Sequence, residues 1–190
     1  FQIFAVRESE KSKNAFFKLT SSISPSPFSE MTSSVFFGVY NNQDWNFSVS
    51  IQPNKSGSVK FVTGSDDYSY TLKFEGFNTL LGDIRDTFSL EQALTKTQGD
   101  NFLKSAKRVY AGAYRQDLTG SLVNQSDILL SGVRYWLKSI DYDAKKQHSL
   151  DFDNVSISNN YENISALDPE LKDLDVLNKD TLALSWEFSN

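Results

Sequence analysis

The sequence predicts an all-β chain folded into two packed antiparallel sheets, and three observations lead there. Short segments with an apolar residue at every second position recur along the chain, and clusters of Gly, Pro, Asn, Asp and Ser separate them. Only one stretch, near 141–149, has the caps and composition of a helix. Strands of this kind must bury one face against another sheet, which gives a sandwich. The material for its core is aromatic: 15 Phe, 8 Tyr and 3 Trp in 190 residues, enough chain for one domain with a sizeable interior.

Taken in order, Phe1 to Arg7 is a short apolar strand, the charged run that follows it is a hairpin tip, and Ala15 to Leu19 is the returning strand. Ser21 to Ser29 carries two prolines among serines, so it is a surface crossing rather than a central strand. Ser34 to Tyr40 is apolar enough for a buried strand, and Asn41 to Asp44 is a turn by composition. Trp45 to Gln52 alternates most cleanly: Trp45, Phe47, Val49 and Ile51 on one face, Asn46, Ser48, Ser50 and Gln52 on the other, with Pro53 ending it. Val59 to Thr63 and Tyr68 to Glu75 read as a hairpin closed by Gly64 to Asp67. Thr79 to Leu90 begins as a strand and weakens, and the polar stretch Glu91 to Leu103 reads as a long loop.

Arg108 to Tyr114 again alternates, Gln116 to Gln125 is a polar connection, and Ile128 to Leu137 forms a second strand with Gly132 inside it as a bulge or close approach. Ser139 and Asp141 are N-cap candidates for a short helix that Leu150 pins to the sheet. Asp151 to Lys179 shows no sustained period and reads as a linker or edge-hugging tail. Thr181 to Phe188 alternates once more. The expected core comprises Phe36, Trp45, Phe47, Val49, Ile51, Phe61, Leu72, Phe74, Val109, Val133 and either Tyr135 or Trp136.

Three stretches, RVYAGAYRQDLTGSL, SGVRYWLKSID and AKKQHSLD, together resemble the C-terminal half of a concanavalin A-like jelly roll of the laminin-G-like kind. WNFSVSIQP is similar to a strand of the same family in pattern, and TLALSWEF resembles the way a first strand of such a domain begins. The variant closest in wording occurs in large virion proteins of tailed bacteriophages. The resemblance implies an antiparallel two-sheet jelly roll over residues 1–158, a linker or tail over 159–180, and at 181–190 either the first strand of a following repeat or the closing strand of this domain. The spacing favours the repeat, because tandem units commonly build long arrays.

Composition excludes several classes. With 19 Lys plus Arg against 24 Asp plus Glu, the net charge is −5, so a phosphate backbone is repelled and nucleic acid is not an expected partner. Lys145 and Lys146 are an isolated pair read as a solvated helix face. The absence of cysteine removes disulfides, thiolate metal sites and thiol nucleophiles. No apolar run approaches the roughly 18 to 20 residues of a membrane span, so membrane insertion is not expected. Phe1 is neither an initiator Met nor a signal peptide, and the chain reads as an excerpt of a longer one.

Catalytic sets are missing. Glycosidases need two carboxylates on one face, one to protonate the leaving group and one to attack or activate water. The E-x-D-x-x-E arrangement of sandwich glycosidases does not occur, and Asp141 with Asp143 and Asp151 with Asp153 fall in the helix and tail, where capping and solvation account for them. His148, the single histidine, has neither a G-x-S-x-G serine nor a second His, and reads as a packed or hydrogen-bonded helix-end residue. No phosphate-cradling glycine motif is present. Five N-x-S sequons, at Asn46, Asn54, Asn124, Asn154 and Asn163, are unremarkable in an Asn- and Ser-rich chain.

Two binding chemistries remain open. Exposed aromatics beside amide or charged groups suit a sugar, and Tyr40 with Asn41 and Asn42, Tyr68, and Tyr114 with Arg115 qualify by composition. Relatives of the laminin-G-like and lectin kinds often hold calcium at the rim; Asp44, Asp66, Asp67 and Asp117 are the loop carboxylates that would serve, although ordinary turn roles also explain them. No other cofactor is expected. The resulting expectation is a non-enzymatic structural or adhesion module of a larger phage virion protein, on the virion surface or tail or otherwise extracellular. It would meet other virion subunits, repeats of its own chain or a host-surface polysaccharide. The alternatives are a polysaccharide-degrading glycosidase on the same sandwich, and a cellular adhesin or extracellular carbohydrate-binding module.

Overall fold

The computed structural model describes residues 1–21, 26–54, 68–106, 110, 112–115, 121–123, 125, 128–151 and 181–188. Among them the chain is all-β with two short helices. The strands are β1 (Gln2–Arg7), β2 (Ala15–Thr20), β3 (Met31–Phe36), β4 (Asp44–Pro53), β5 (Tyr68–Leu80), β6 (Asp83–Thr95), β7 (Tyr114–Arg115), β8 (Leu122–Val123), β9 (Gly132–Trp136) and β10 (Leu182–Glu187). The helices are α1 (Lys96–Lys104) and α2 (Tyr142–Leu150). Every pairing is antiparallel: β1-β2-β3 and β4-β5-β6 form three-stranded sheets, β9 pairs with β10, and β7 with β8.

The two larger sheets pack face to face, because alternation along each strand sends one set of side chains inward. From the first sheet Phe17 and Leu19 of β2 and Met31 of β3 are buried, and from the second Leu72, Phe74, Phe88 and Leu94. Trp45, Phe47, Val49 and Ile51 of β4 and Phe36 of β3 pack against that cluster, as their period required. Phe17 is its hub, with ring centroids 4.5 Å from Trp45, 4.7 Å from Phe47 and 5.7 Å from Phe88, all on the opposite sheet. Gly76 of β5 lies against the Phe88 ring, so close that a Cβ there would overlap it. The absence of a side chain at this position is what lets the ring lie on the strand.

Several boundaries differ from the sequence reading. The third strand ends at Phe36 rather than running to Tyr40, since Gly38 takes φ +70° and its N–H is captured by Asn14 Oδ1 at 3.0 Å. The segment after Thr79 does not weaken. β5 and β6 form one long hairpin that turns through Leu81 and Gly82, both at positive φ, and the inward alternation Phe88, Leu90, Leu94 continues to its end. The expected loop after it contains α1, started by a capping box in which Gln98 N–H donates to Thr95 Oγ1 and Thr95 N–H donates to Gln98 Oε1. Between Arg108 and Tyr114 the described residues Tyr110, Gly112 and Ala113 are not in a strand, and Gly112 has φ +71°. Gly132 begins β9 rather than interrupting a longer strand.

α2 matches the reading, with Asp141 Oδ1 accepting from Ala144 N–H at 2.7 Å. Lys145, however, is buried rather than solvated. Phe61 and Val109 lie outside the described residues. Val133 and Trp136 are half-buried, and Tyr135 is 43% exposed. At the chain end β10 pairs with β9 from Leu182↔Trp136 to Glu187↔Gly132, and Phe188 N–H donates to Ser131 O at 2.9 Å.

Candidate functional site

The second sheet is covered on both faces. Its inner face carries the aromatic core, and its outer face, where Ser50 and Glu75 stand, receives α2. Lys145 of α2 donates to Glu75 Oε2 at 2.5 Å and to Ser50 Oγ at 3.0 Å, and Tyr142 packs its ring 5.4 Å from Phe77. One turn further on, His148 reaches a different piece of sheet: Arg134 Nη1 of β9 lies 3.2 Å from its Nδ1, and the Trp136 ring packs against it in a tilted contact with centroids 5.2 Å apart. Glu187 of β10 faces the same guanidinium at 3.8 Å. Gln52 of β4 adds a hydrogen bond to Ser139 Oγ at 2.8 Å. α2 therefore joins the β9–β10 ribbon to the outer face of β4–β5.

At one end of the second sheet two loops present apolar side chains to solvent. Leu81 is 95% exposed at the tip of the β5–β6 hairpin, Leu80 beside it 43%, and Phe37, in the turn leading to β4, 80%. The two loops are tied by Gln43, whose Nε2 donates to Phe37 O while its Oε1 accepts from Asn78 Nδ2 of β5. A two-residue loop with positive φ at both positions is a type I′ turn, where Asn, Asp or Gly normally stands first. Here Leu81 stands first, at φ 53°. A leucine held left-handed and almost wholly exposed is neither locally favoured nor packed.

The expected sugar-binding residues do not share one site. Tyr40, Asn41 and Asn42 lie in the turn after β3, beside Asp44 at the start of β4. The Tyr40 hydroxyl donates to Ala5 O at 2.9 Å, and the Arg7 guanidinium sits 3.5 Å from its ring centroid, so one face and the polar tip are engaged within the chain. Asn41 N–H donates to Gly38 O at 2.8 Å, and Asn42 supplies a left-handed φ of 54°, both turn roles. Tyr68 opens β5 at the far end, because Asp44 pairs with Thr79 and Pro53 with Tyr70. At about 3.3 Å per residue the run of β5 from Tyr68 to Thr79, the partner of Asp44, spans roughly 36 Å, so Tyr68 stands at the other end of the sheet from the turn that holds Tyr40. Tyr114 and Arg115 form β7, a separate ladder with β8.

Asp44 is exposed, and its backbone carbonyl accepts from Asn78 Nδ2 at 3.3 Å. Asp66, Asp67 and Asp117 lie outside the described residues. Among the described residues no three His, Cys, Asp or Glu side chains group so as to hold a metal ion. Asp141 and Asp151 cap the two ends of α2. An open cleft of about 460 Å³ lies between the end of β2 and α1, lined by Thr20, Ser21, Ser26, Ser29, Glu30, Phe28 and Gln98. Among its described lining residues hydroxyls dominate, the Phe28 ring is buried in the core, and Gln98 is committed to the helix cap. No described helix is long and apolar enough to cross a membrane.

Comparison of the chain with protein-family models, curated proteins and solved structures finds no match.

Proposed function

We propose that this chain is a non-catalytic structural module, a jelly-roll sandwich of a larger virion-type assembly, and that it acts by presenting loop tips to a neighbouring subunit. The observation that carries the reading is the apolar end formed by Leu80, Leu81 and Phe37. Exposing Leu81 in a left-handed turn costs stability locally and gains nothing within the chain, as is common for residues retained for recognition. Of the two expected partner classes this end suits protein better than glycan, since the nearby Tyr40 ring and hydroxyl are already occupied by Arg7 and Ala5. The jelly-roll topology and the phage setting rest on the resemblance of WNFSVSIQP and SGVRYWLKSID. The pairing of β10 with β9 supports assigning 181–188 to this unit rather than to a following repeat.

The test combines assembly and glycan binding. Sedimentation velocity over a range of concentrations, with the wild-type chain and with Leu81→Asn plus Phe37→Ser, is expected to show association that the double variant loses. A glycan array probed with and without calcium is expected to stay blank. Monomeric wild type together with array binding would replace subunit contact by glycan adhesion, and release of reducing ends from a polysaccharide would establish an enzyme instead.

A further inference from the structure

Two side chains that stand almost wholly in solvent can engage one partner together only if their backbones are held at a fixed separation. Phe37 is 80% and Leu81 95% exposed, so neither tip is placed by the packing of its own side chain. The β5–β6 hairpin places Leu81, since its pairing runs as far as Leu80↔Asp83. The turn that carries Phe37 is held to the first sheet, where Gly38 N–H donates to Asn14 Oδ1 and Tyr40 N–H to Lys13 O, each at 3.0 Å. Among the described residues, its hydrogen-bonded link to the hairpin of the second sheet runs through one side chain, Gln43.

We infer that Gln43 is the positioning residue of the apolar end, setting the separation of Phe37 and Leu81 so that both enter a neighbouring subunit as one unit. The inference rests on the reading of that end as a subunit contact.

The link uses the whole of a glutamine amide. Gln43 Nε2 donates to Phe37 O at 3.2 Å, while its Oε1 accepts from Trp45 Nε1 at 3.2 Å and from Asn78 Nδ2 at 3.3 Å. Both lone pairs of that oxygen are therefore engaged. The two donors belong to the rigid part of the molecule. Trp45 packs its ring 4.5 Å from Phe17 in the core, and Asn78, 1% exposed, lies on β5 just below the hairpin tip and also donates to Asp44 O at 3.3 Å. The carbonyl of Phe37 is thus fixed relative to the strand that carries Leu80 and Leu81. Fixing it before contact spares the ordering cost that a loose tip would meet on association. Two replacements separate the parts of the link. Glutamate keeps an acceptor for Trp45 and Asn78 but has no N–H for the Phe37 carbonyl, whereas methionine, of similar length, offers neither and adds no charge.

Sedimentation velocity over a range of concentrations, well below the unfolding temperature, tests this with the wild type, Gln43→Glu and Gln43→Met. Both variants are expected to associate about tenfold more weakly than the wild type with unchanged near-ultraviolet circular dichroism. The loss in Gln43→Glu must persist in about 1 M salt, where charges are screened within ~3 Å. A purely structural role would not move the second readout, the coupling between the tips. In the wild type, Phe37→Ser and Leu81→Asn singly are each expected to cost nearly as much association as the two together, and in the Gln43→Met background their effects become independent. Association of either Gln43 variant at the wild-type strength, or coupling that survives in Gln43→Met, would overturn the inference while leaving the subunit contact standing. Should Gln43→Met fail to fold, Gln43→Glu, which retains both acceptor contacts, decides by the same criteria. A wild type that stays monomeric at every concentration removes the subunit contact itself and this inference with it.

Discussion

Lys145 and Glu75, seventy residues apart in the chain, meet as an ion pair at 2.5 Å with side chains only 4% and 3% exposed. The pair fixes where α2 lies on the sheet, with Ser50 supplying a further acceptor for the ammonium. Burying two charges is costly, so such a pair confers position more than net stability.

Removing one partner leaves the other buried and uncompensated. Glu75→Gln or Lys145→Met is expected to lower the unfolding free energy by about 3–5 kcal/mol in urea titrations, and the double replacement Glu75→Leu with Lys145→Met to cost less than either single change. Equal, additive losses would show that the two side chains do not interact.

The turn at Leu81 gives the opposite sign. Leu81→Asn places a residue suited to φ 53° at the first position of the type I′ turn and removes no packed contact, so it is expected to stabilise the fold by about 1 kcal/mol. A rise of a few degrees in Tm would register it. A fall would mean that the leucine packs against something in solution.

Gly76 tests the close approach within the core. Gly76→Ala forces the Phe88 ring away from the strand and is expected to cost about 1–3 kcal/mol, part of which Phe88→Leu in the same chain should restore. Thermal unfolding of the three proteins decides it.

Asp100 governs the acid limb of stability around α1. The Lys96 ammonium that donates to it, and then the Tyr70 hydroxyl at 2.8 Å, hold its carboxyl down from 3.8 to about 2. A carboxylate favoured by the fold stabilises it above its ordinary range, and that contribution disappears as pH falls from about 4 through about 2. Asp100→Asn is expected to be less stable at neutral pH and to flatten the decline across that window, measured by unfolding at a series of pH values.

The sequence disclosed most where one face of a strand was apolar and the other polar. Trp45, Phe47, Val49 and Ile51 announced both their strand and their inward face, and Asp141 announced its helix. β6 was obscured because charged and polar residues intervene between Phe88, Leu90 and Leu94, and its hairpin turn uses Leu81 where Asn or Asp would have signalled it. α1 had a legible start in the Thr95 to Gln98 capping box, but Gly99 and the polar composition argued for a loop. Lys145 read as solvent-facing since its partner Glu75 is remote in sequence, and no local pattern reveals that Ser48, Ser50 and Glu75 form a face covered by a helix. The apolar end was hidden for a related reason: exposure of Phe37 and Leu81 is a property of the folded loops alone.

The most direct measurement of the two-layer arrangement is the set of nuclear Overhauser contacts of the Phe17 ring. The account requires cross-peaks from Phe17 to both Trp45 and Phe88, whose ring centroids lie 4.5 and 5.7 Å away on the opposite sheet. Cross-peaks confined to residues of β1 and β3 would show that the sheets do not face each other through this core, and would contradict the sandwich on which the proposed role depends.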